Sequence, residues 1–545
     1  MTVEYIMRFF NTAGPVDCHR HYCLPPLERL DLPEVEMLIA QQKYFVLHAP
    51  RQTGKTSCLL TLMDYLNKQG RYLAVYCNVE PAQAAREDVA QAMNDILREM
   101  ARSAQIYLKD NFLDEKKYHF LERGGHGTAL SSALSAWAET ADKPLIILMD
   151  EIDSLIGDTL ISVLRQLRAG YTRRPEYFPQ SIILCGVRDV RDYRIHSSSS
   201  QEIITGGSAF NIKAESLRLG DFIRPEVESL LMQHTQETGQ EITEEAKSCI
   251  WHLSQGQPWL VNALAYETCF KMKEGRDRSL PIVKEMVDQA KENLIARRET
   301  HLDQLGDKLQ EKRVQRVVTP MLEGRDLDVR LDDLQYVQDL GLIRDTGQGP
   351  QIANPIYAEI IPRELTVSQQ ANLEARYDQI WYVRSDGSLD VGKLLSAFQE
   401  FFREHAEAWL ERFAYKEAGP QLLMQAFLQR VVNSGGRVER EFGLGRMRTD
   451  LLVLWPLSDA KPGEPSWTRW QGPVQKAVIE LKILHKGLER TIADGLAQTR
   501  EYMDRCEAKE GHLIVFDRRE EVSWEEKIFQ RAEEYKGQLI TVWGM

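Results

Sequence analysis

The sequence predicts an α/β fold, because short apolar runs that end in polar residues alternate with stretches of helical periodicity. Tyr44–Leu47 is such a run, and a glycine-containing loop and a helical pattern follow it. Leu145–Asp153, LIILMDEID, is a second run, and it ends in carboxylates. Continuous apolar runs of this length are typical of parallel strands that are buried on both faces. The two runs therefore predict a parallel sheet with helices on both sides.

The composition is that of a soluble globular chain with several domains. Its 545 residues are 43% hydrophobic and 27% charged, which is ordinary for such chains, and the length suggests about three or four domains. No apolar run approaches the roughly 20 residues that span a bilayer. The first residues do not form a signal peptide, in which a basic region is followed by an apolar stretch. We therefore expect a cytoplasmic protein with no membrane partner.

The net charge of −13 is unevenly distributed along the chain. Residues 416–545 hold 20 of the 68 Lys and Arg residues and 20 of the 81 Asp and Glu residues, so the remainder carries the whole −13. A neutral C-terminal part on an acidic body weakly favours a polyanionic partner at that end.

Eight cysteines are scattered along the chain, and several lie in apolar patterns. This distribution predicts reduced, buried thiols. Cys18 and Cys23 enclose His19 and His21, residue types that bind zinc. No second ligand pair follows at the spacing of zinc sites, so we do not expect a metal there.

The loop between the first predicted strand and its helix has the phosphate-binding pattern GxxxxGK[ST], with alanine in place of the first glycine. Gly54 is needed where a Cβ would obstruct a backbone wrapped around phosphate oxygens. Lys55 is expected to reach the β- and γ-phosphates, and Thr56 to offer its hydroxyl to Mg²⁺. The residues predicted to bind nucleotide here are Ala49, Pro50, Arg51, Gln52, Thr53, Gly54, Lys55, Thr56 and Ser57.

Asp150 and Glu151 lie at the carboxyl end of the second predicted strand, where parallel sheets bind ligands. Asp150 is predicted to hold Mg²⁺ through water, and Glu151 to polarise the attacking water. Burying two adjacent carboxylates without such a role would be costly.

A further apolar strand, Ser181–Asp189, ends in a cation. Arg188 is predicted to sense the γ-phosphate, and the alternative is a surface ion pair with Asp189 or Asp192. The turn-rich leader Phe9–Leu30 precedes the first strand. Wrapping the nucleotide base and forming a surface strap without a ligand are equally open for it.

These motifs resemble those of the AAA-like ATPases, and in particular of the branch related to the signal-transduction (STAND) NTPases. The resemblance covers about residues 1–365 and includes GQPWLVN, Gly256–Asn262. It implies ATP and Mg²⁺ as cofactors and Arg188 as the γ-phosphate sensor. It also implies a helical lid in which Pro258 of a G-x-P motif faces the nucleotide.

A winged helix is predicted downstream of the lid. Leu331–Leu340 is helical in pattern, and a strand, a Gly-rich hairpin at Thr346–Pro350 and a second strand follow. Because Asp332, Asp333 and Asp339 make this helix acidic, protein packing or regulation is favoured over DNA binding.

Period-2 alternation in KAVIELKIL places Glu480 and Lys482 on one face of a strand, with apolar residues on the other. Asp450 enters the preceding apolar strand, and a helix with Gln498 and Tyr502 follows. Carboxylates on neighbouring strands can hold a metal against a phosphodiester, and a lysine can orient or deprotonate the attacking water. This part of the sequence therefore predicts a Mg²⁺-dependent nuclease.

This order of elements resembles the PD-(D/E)XK nuclease superfamily, and in particular nuclease-like domains fused to bacterial AAA-like ATPases. The resemblance implies a site made of the metal ligands Asp450 and Glu480, the catalytic Lys482, and the helix residue Gln498. A further helix acid of the family corresponds to Glu417 or Glu441. The family's proline before the aspartate is replaced by Thr449. The alternative is a nuclease fold retained as an inactive binding module.

In full, the sequence predicts an α/β chain with a P-loop NTPase core, a helical lid and a winged helix, followed by an α/β restriction-endonuclease-like domain. We expect an ATP-hydrolysing switch coupled to a nuclease that acts on nucleic acid, DNA above all, in prokaryotic DNA processing or anti-phage defence. A signalling ATPase with an inactive C-terminus is the alternative, and a homo-oligomer is left open. The predicted segments are the leader 1–40, the AAA-like ATPase core 41–215, the lid 216–300, the winged helix 301–365, the helical connector 366–413 and the nuclease-like domain 414–545.

Overall fold

The structure is a computed structural model, and the chain forms two compact units. The first unit comprises residues 1–294 and 330–355, and the second comprises residues 295–329 and 356–545. The described residues are 8–189, 194–196, 203–205, 210–297, 308–309, 311–323, 329–347, 349–358, 360, 382–412, 424, 427–428, 437–440, 451–457, 473–484, 487–517, 519 and 522–545.

The first unit is built on a five-stranded sheet. The strands of this unit are β1 Phe9–Phe10, β2 His21–Tyr22, β3 Tyr44–His48, β4 Leu73–Asn78, β5 Leu145–Asp150, β6 Ser181–Gly186, β7 Arg194–His196, β8 Ile203–Thr205, β9 Lys213–Arg218, β10 Ile343–Asp345 and β11 Pro350–Ile352. The sheet has the order β4-β5-β6-β3-β9, and all neighbours pair parallel. Every residue of β3, β5 and β6 is buried. The predicted parallel sheet is therefore confirmed, since strands covered on both faces require apolar runs.

Helices cover both faces of this sheet. The α-helices of the described residues are α1 Leu32–Ala40, α2 Lys55–Gln69, α3 Val89–Ser103, α4 Phe112–Gly124, α5 Ala129–Thr140, α6 Gly157–Ala169, α7 Arg224–Thr238, α8 Glu244–Ser254, α9 Pro258–Tyr266, α10 Lys284–Ala296, α11 Lys312–Glu323, α12 Leu331–Asp339, α13 Val391–Arg412, α14 Leu488–Cys506 and α15 Trp524–Lys527. Alternate strand residues face two cores: Ile147 packs with α3, α5 and α6, and Leu148 packs with α1 and α2. Among the described residues, no helix combines the length and apolarity that crossing a membrane requires.

The leader strands β1 and β2 pair parallel, and they pack on α7, a helix of the predicted lid. Phe10 and Tyr22 are buried with ring centroids 4.8 Å apart, and the His234 ring lies 5.7 Å from that of Tyr22. A disulfide joins Cys18 and Cys23, while the other six cysteines are free and buried. The prediction of eight reduced thiols is therefore wrong for this pair. The hydrogen-bonded turn that begins at Asp17 brings their Cα atoms to 5.4 Å.

Helix α12 and the hairpin β10–β11 belong to the first unit. The two strands pair antiparallel, with Ile343 opposite Ile352, and Val337 of the helix is buried. This order of helix, strand, Gly-rich turn and strand agrees with the predicted pattern. The predicted range 301–365 contributes to both units, and the winged helix itself stays a prediction.

The second unit contains a six-stranded mixed sheet. Its strands are β12 Arg437–Arg440, β13 Leu451–Pro456, β14 Val474–Ile483, β15 Glu510–Phe516, β16 Phe529–Tyr535 and β17 Gln538–Gly544, in the order β12-β13-β14-β15-β17-β16. The neighbours β12, β13 and β14 pair antiparallel, and β14, β15 and β17 pair parallel. Helix α14 connects β14 to its parallel neighbour β15, as a parallel crossover requires.

Two apolar cores lie on the two faces of this second sheet. On one face, Phe398 of α13 packs with Ile479 and Ile514. On the other face, α14 packs so closely that a Cβ at Gly495 would lie 2.5 Å from Leu513 Cδ1. The residues of β14 that alternate with Ile479 therefore face α14, and Glu480 is one of them.

We predict that His234 makes the lid sensitive to acid. Burial lowers the pKa of His234 to about 4, so it stays neutral when the unfolded chain, with an ordinary pKa near 6.5, takes up a proton. Stability is therefore lost as the pH falls from about 6.5 toward 4. For His234→Gln, the loss between pH 7 and pH 5 should be smaller by about 2 kcal/mol.

This difference can be measured as the exchange free energy of the α7 backbone amides at both pH values. The matched control is His119→Gln, because His119 is exposed. Equal losses in wild type and His234→Gln would contradict the prediction.

Candidate functional site

The phosphate-binding loop joins β3 to α2 at the carboxyl edge of the first sheet. Gly54 has φ 93°, and a Cβ there would lie 2.7 Å from Nη1 of Arg29. Ala49, which replaces the first glycine of the pattern, is fully buried and donates its N–H to the Gly186 carbonyl at 3.2 Å. The loop therefore needs glycine at position 54 and a small residue at position 49.

Lys55 begins α2, and its side chain turns back over the loop. Its Nζ donates to the carbonyl oxygens of Ala49 at 3.0 Å and of Pro50 at 2.9 Å. The residue is only 5% exposed. The ammonium and the positive end of the helix dipole thus coincide, which favours an anion inside the loop.

Asp150 joins three elements at the mouth of the loop. Its side chain is fully buried and accepts a hydrogen bond from Thr56 Oγ1 at 2.7 Å. Tyr76 OH donates to the same Oδ2 atom at 3.1 Å. A hydroxyl and a carboxylate are hard oxygen donors, so this pair fits the ligand preference of Mg²⁺.

Glu151 follows with a left-handed backbone, at φ 58° and ψ 39°. Its N–H donates to Asp150 Oδ1 at 3.0 Å. Burial, and then the charge of Asp153, raise the pKa of Glu151 above its ordinary value. Strained backbone at a non-glycine residue is concentrated at functional sites, and a raised pKa suits a carboxylate that receives a proton from water.

Tyr76 and Arg29 are site residues that the sequence analysis missed. Tyr76 lies on the strand β4. Arg29 donates to the Thr53 carbonyl at 2.5 Å and to the Gly220 carbonyl at 2.7 Å, and burial lowers its pKa. Neither residue belongs to a motif. The sequence shows only that each has a polar side chain in a segment next to a predicted element of the site.

Arg188 lies at the end of β6, beside the loop. Its Nε is 3.8 Å from Asp339 Oδ2, and its guanidinium carbon lies 4.6 Å from the Tyr336 ring centroid. Asp189 forms an ion pair with Lys213 at 2.5 Å. The other alternative partner, Asp192, lies outside the described residues, and the sensing role of Arg188 stays a prediction.

A cavity of about 140 Å³ opens beside the loop. Thr53 and Gly54 line it on one side, the leader residue Thr12 and the lid residue Pro258 on the other. The Trp259 indole N–H donates to the Thr12 carbonyl at 3.0 Å, which fastens the leader to the lid. The predicted G-x-P proline thus lines the same cavity as the loop, and its contact with a nucleotide stays a prediction.

Glu480 and Lys482 lie on the α14 face of β14. Glu480 is 1% exposed, and its Oε1 accepts a hydrogen bond from Lys482 Nζ at 2.7 Å. Gln498 is on α14, where its Oε1 is buried and has no hydrogen-bond partner among the described residues. The structure thus places the predicted glutamate and lysine together and the glutamine on the helix that covers their face.

Asp450, Glu417, Glu441 and Thr449 lie outside the described residues. The strand that follows Asp450 begins at Leu451, which pairs with Ile479, the neighbour of Glu480. The predicted metal ligand Asp450 therefore stays a prediction.

The parallel sheet, the loop and the buried aspartate together define a class of protein, the P-loop NTPases. The AAA-like domain family matches residues 34–361. Because this match covers more than half of the 545 residues, the chain belongs to the AAA-like domain family. This membership supports ATPase function of the P-loop type and confirms the predicted AAA-like ATPase domain.

Solved structures resemble the chain at low sequence identity. A Walker-type ATPase of Pyrococcus abyssi matches with a TM-score of 0.41 and 13% identity, over 65% of this chain and 99% of that one. Cdc6p from Pyrobaculum aerophilum matches with 0.35 and 13%, over 64% and 95%. The Thermotoga maritima RuvB Holliday junction branch migration motor matches with 0.32 and 13%, over 62% and 93%. No curated protein matches the chain in sequence.

We predict that Lys55→Ala weakens ATP binding about 10- to 100-fold, because it removes a charged donor from the phosphates. Isothermal titration calorimetry with ATP measures this change. Lys68→Ala is the matched control, since Lys68 lies exposed in the last turn of the same helix. Equal ATP affinity in Lys55→Ala and wild type would contradict the assignment of nucleotide binding to this loop.

Proposed function

We propose that the chain is an ATP-hydrolysing switch coupled to a Mg²⁺-dependent nuclease. The hydrogen bond from Thr56 to the buried Asp150 carries the first half, because it brings a hydroxyl and a carboxylate together at the loop. In this proposal Thr56 and Asp150 hold Mg²⁺, and the ion neutralises charge on the β- and γ-phosphates when it is bound. The relation to the STAND branch is part of the proposal.

Each residue of the ATP site has one task in this reaction. Lys55 draws the β- and γ-phosphates into the loop. Glu151 accepts the proton of the attacking water, and its raised pKa supports that task. Arg188 detects the γ-phosphate, and Pro258 and the leader enclose the base.

We predict that Glu151→Gln binds ATP with nearly wild-type affinity and hydrolyses it at least about 100-fold more slowly, because only proton acceptance is lost. Single-turnover hydrolysis and calorimetry measure the two quantities on the same protein. Glu139→Gln is the control, since Glu139 is an exposed residue of the same unit. Unchanged hydrolysis in Glu151→Gln would assign the water-activating role to another group.

The second half of the proposal is carried by the buried Glu480 and its hydrogen-bonded partner Lys482. In the described part of the second sheet, an antiparallel triplet is followed by a helix and a parallel strand. This order supports a PD-(D/E)XK-like fold with Asp450 and Glu480 as metal ligands. When it is bound, Mg²⁺ would polarise the scissile phosphate. Lys482 would orient or deprotonate the attacking water, and Gln498 would close the site from α14.

The alternative is a signalling ATPase whose C-terminal unit only binds nucleic acid or a protein. The 2.7 Å hydrogen bond between Lys482 and Glu480 favours this alternative, because it engages a carboxylate oxygen that a metal would need. The nuclease interpretation requires that a metal ion displaces the Lys482 ammonium from Glu480 toward the substrate.

Nucleic acid, with DNA as first choice, is the proposed partner. A cytoplasmic role in DNA processing or anti-phage defence and a homo-oligomeric state are proposed with it.

We predict that Asp450→Ala and Glu480→Ala abolish Mg²⁺-dependent cleavage, and that Lys482→Ala slows it at least about 100-fold while metal binding persists. Gel assays with single- and double-stranded DNA and RNA, with and without ATP, measure the cleavage. The matched controls are Glu489→Ala and Lys509→Ala, which change exposed residues of the same unit.

ATPase activity should persist in all three site variants, because the P-loop belongs to the first unit. Cleavage fully retained in Asp450→Ala would place the activity elsewhere. No cleavage by wild type under any of these conditions would favour the inactive binding module.

A further inference from the structure

Helix α12 and the turn after it pack against the nucleotide loop of the first unit. The closest approach is at Gly341, where a Cβ would lie 2.8 Å from Pro50. Gly341 has φ 76°, a backbone conformation that a side chain would strain. Arg218 of β9 donates to the Gln338 carbonyl at 3.4 Å. The helix is therefore fixed to the edge of the sheet that carries the ATP site.

The same helix also contacts Arg188. The Arg188 side chain is 13% exposed and Asp339 is 1% exposed, with 3.8 Å between Nε and Oδ2. The Tyr336 ring covers the guanidinium at 4.6 Å, a distance at which cation–π attraction operates. Gln335 donates to the other Asp339 oxygen, Oδ1, at 2.9 Å, which orients the carboxylate. One carboxylate and one ring of α12 thus hold the cation.

A γ-phosphate would compete with Asp339 for this cation. If Arg188 moved fully to the phosphate, the buried Asp339 carboxylate would lose the attraction of this guanidinium, which is costly in a protein interior. That cost would weaken the binding of nucleotides with a γ-phosphate, and it would not affect the binding of ADP. Asp339 therefore lowers the affinity for ATP relative to ADP.

We propose that Asp339 is a positioning residue that sets the ATP preference of the site by holding Arg188 against α12. The inference rests on the proposed role of Arg188 as the γ-phosphate sensor. By thermodynamic reciprocity, a γ-phosphate that takes Arg188 must weaken the attachment of α12 by the same factor. The site thereby transmits the state of its nucleotide to α12 and the hairpin β10–β11.

The test compares the affinities of the full chain for ADP and for the non-hydrolysable analogue adenylyl imidodiphosphate. Asp339→Asn removes the competing charge and should tighten analogue binding about tenfold, with ADP binding unchanged. Asp332→Asn is the matched control, because it makes the same change at an exposed position of the same helix. An unchanged affinity ratio in a folded Asp339→Asn protein would overturn the proposal.

A second measurement uses the wild-type protein, so that it does not depend on the folding of any variant. Hydrogen exchange of the α12 amides should be faster with the analogue than with ADP. Equal exchange in the two complexes would overturn the proposal.

Arg188→Ala separates this inference from the proposed function. It should keep ADP affinity and lose the distinction between ADP and the analogue. If Arg188→Ala leaves the ratio unchanged, the sensing role of Arg188 is wrong. If Arg188→Ala changes the ratio and Asp339→Asn does not, the sensor remains and only the role of Asp339 is wrong.

Discussion

The first unit depends on the burial of one carboxylate at the end of a fully buried strand. Asp150 is completely excluded from solvent, and an unpaired buried charge would cost several kcal/mol. The hydroxyls of Thr56 and Tyr76 offset part of this cost by donating to the carboxylate. These bonds tie the start of α2 and the strand β4 to the end of β5. These hydrogen bonds thus hold the loop next to the acidic end of β5.

The nucleotide site concentrates unfavourable features that a merely structural edge would avoid. Glu151 has left-handed backbone and a raised pKa, and Lys55 is nearly excluded from solvent. Each feature costs stability by itself. The proposed function would account for these costs, because an anion in the loop would be stabilised by Lys55 and by the start of α2. This balance connects the α/β fold to its chemistry.

The sequence predicted the features that depend on neighbouring residues, and missed those that depend on distant ones. Fully buried parallel strands require apolar runs. The sequence therefore predicted β3, β5 and β6 and the polar residues at their ends. Tyr76 lies 74 positions from Asp150, and Asp339 lies 151 positions from Arg188. No local pattern marks such contacts, because tertiary packing creates them. The Cys18–Cys23 disulfide was misread for a related reason: scattered cysteines elsewhere set the expectation, whereas a local turn forms the pair.

In the second unit, the burial of Glu480 costs free energy of folding. Glu480 is 1% exposed and its partner Lys482 is 27% exposed, and the ion pair offsets only part of the free energy that removing the carboxylate from water costs. Val478, two positions earlier on the same face of β14, is fully buried in the apolar core that includes α14, so this face accommodates an apolar side chain. Folding alone therefore gives no reason for charge at position 480. The site proposed above, in which Glu480 would bind a metal ion, would give one.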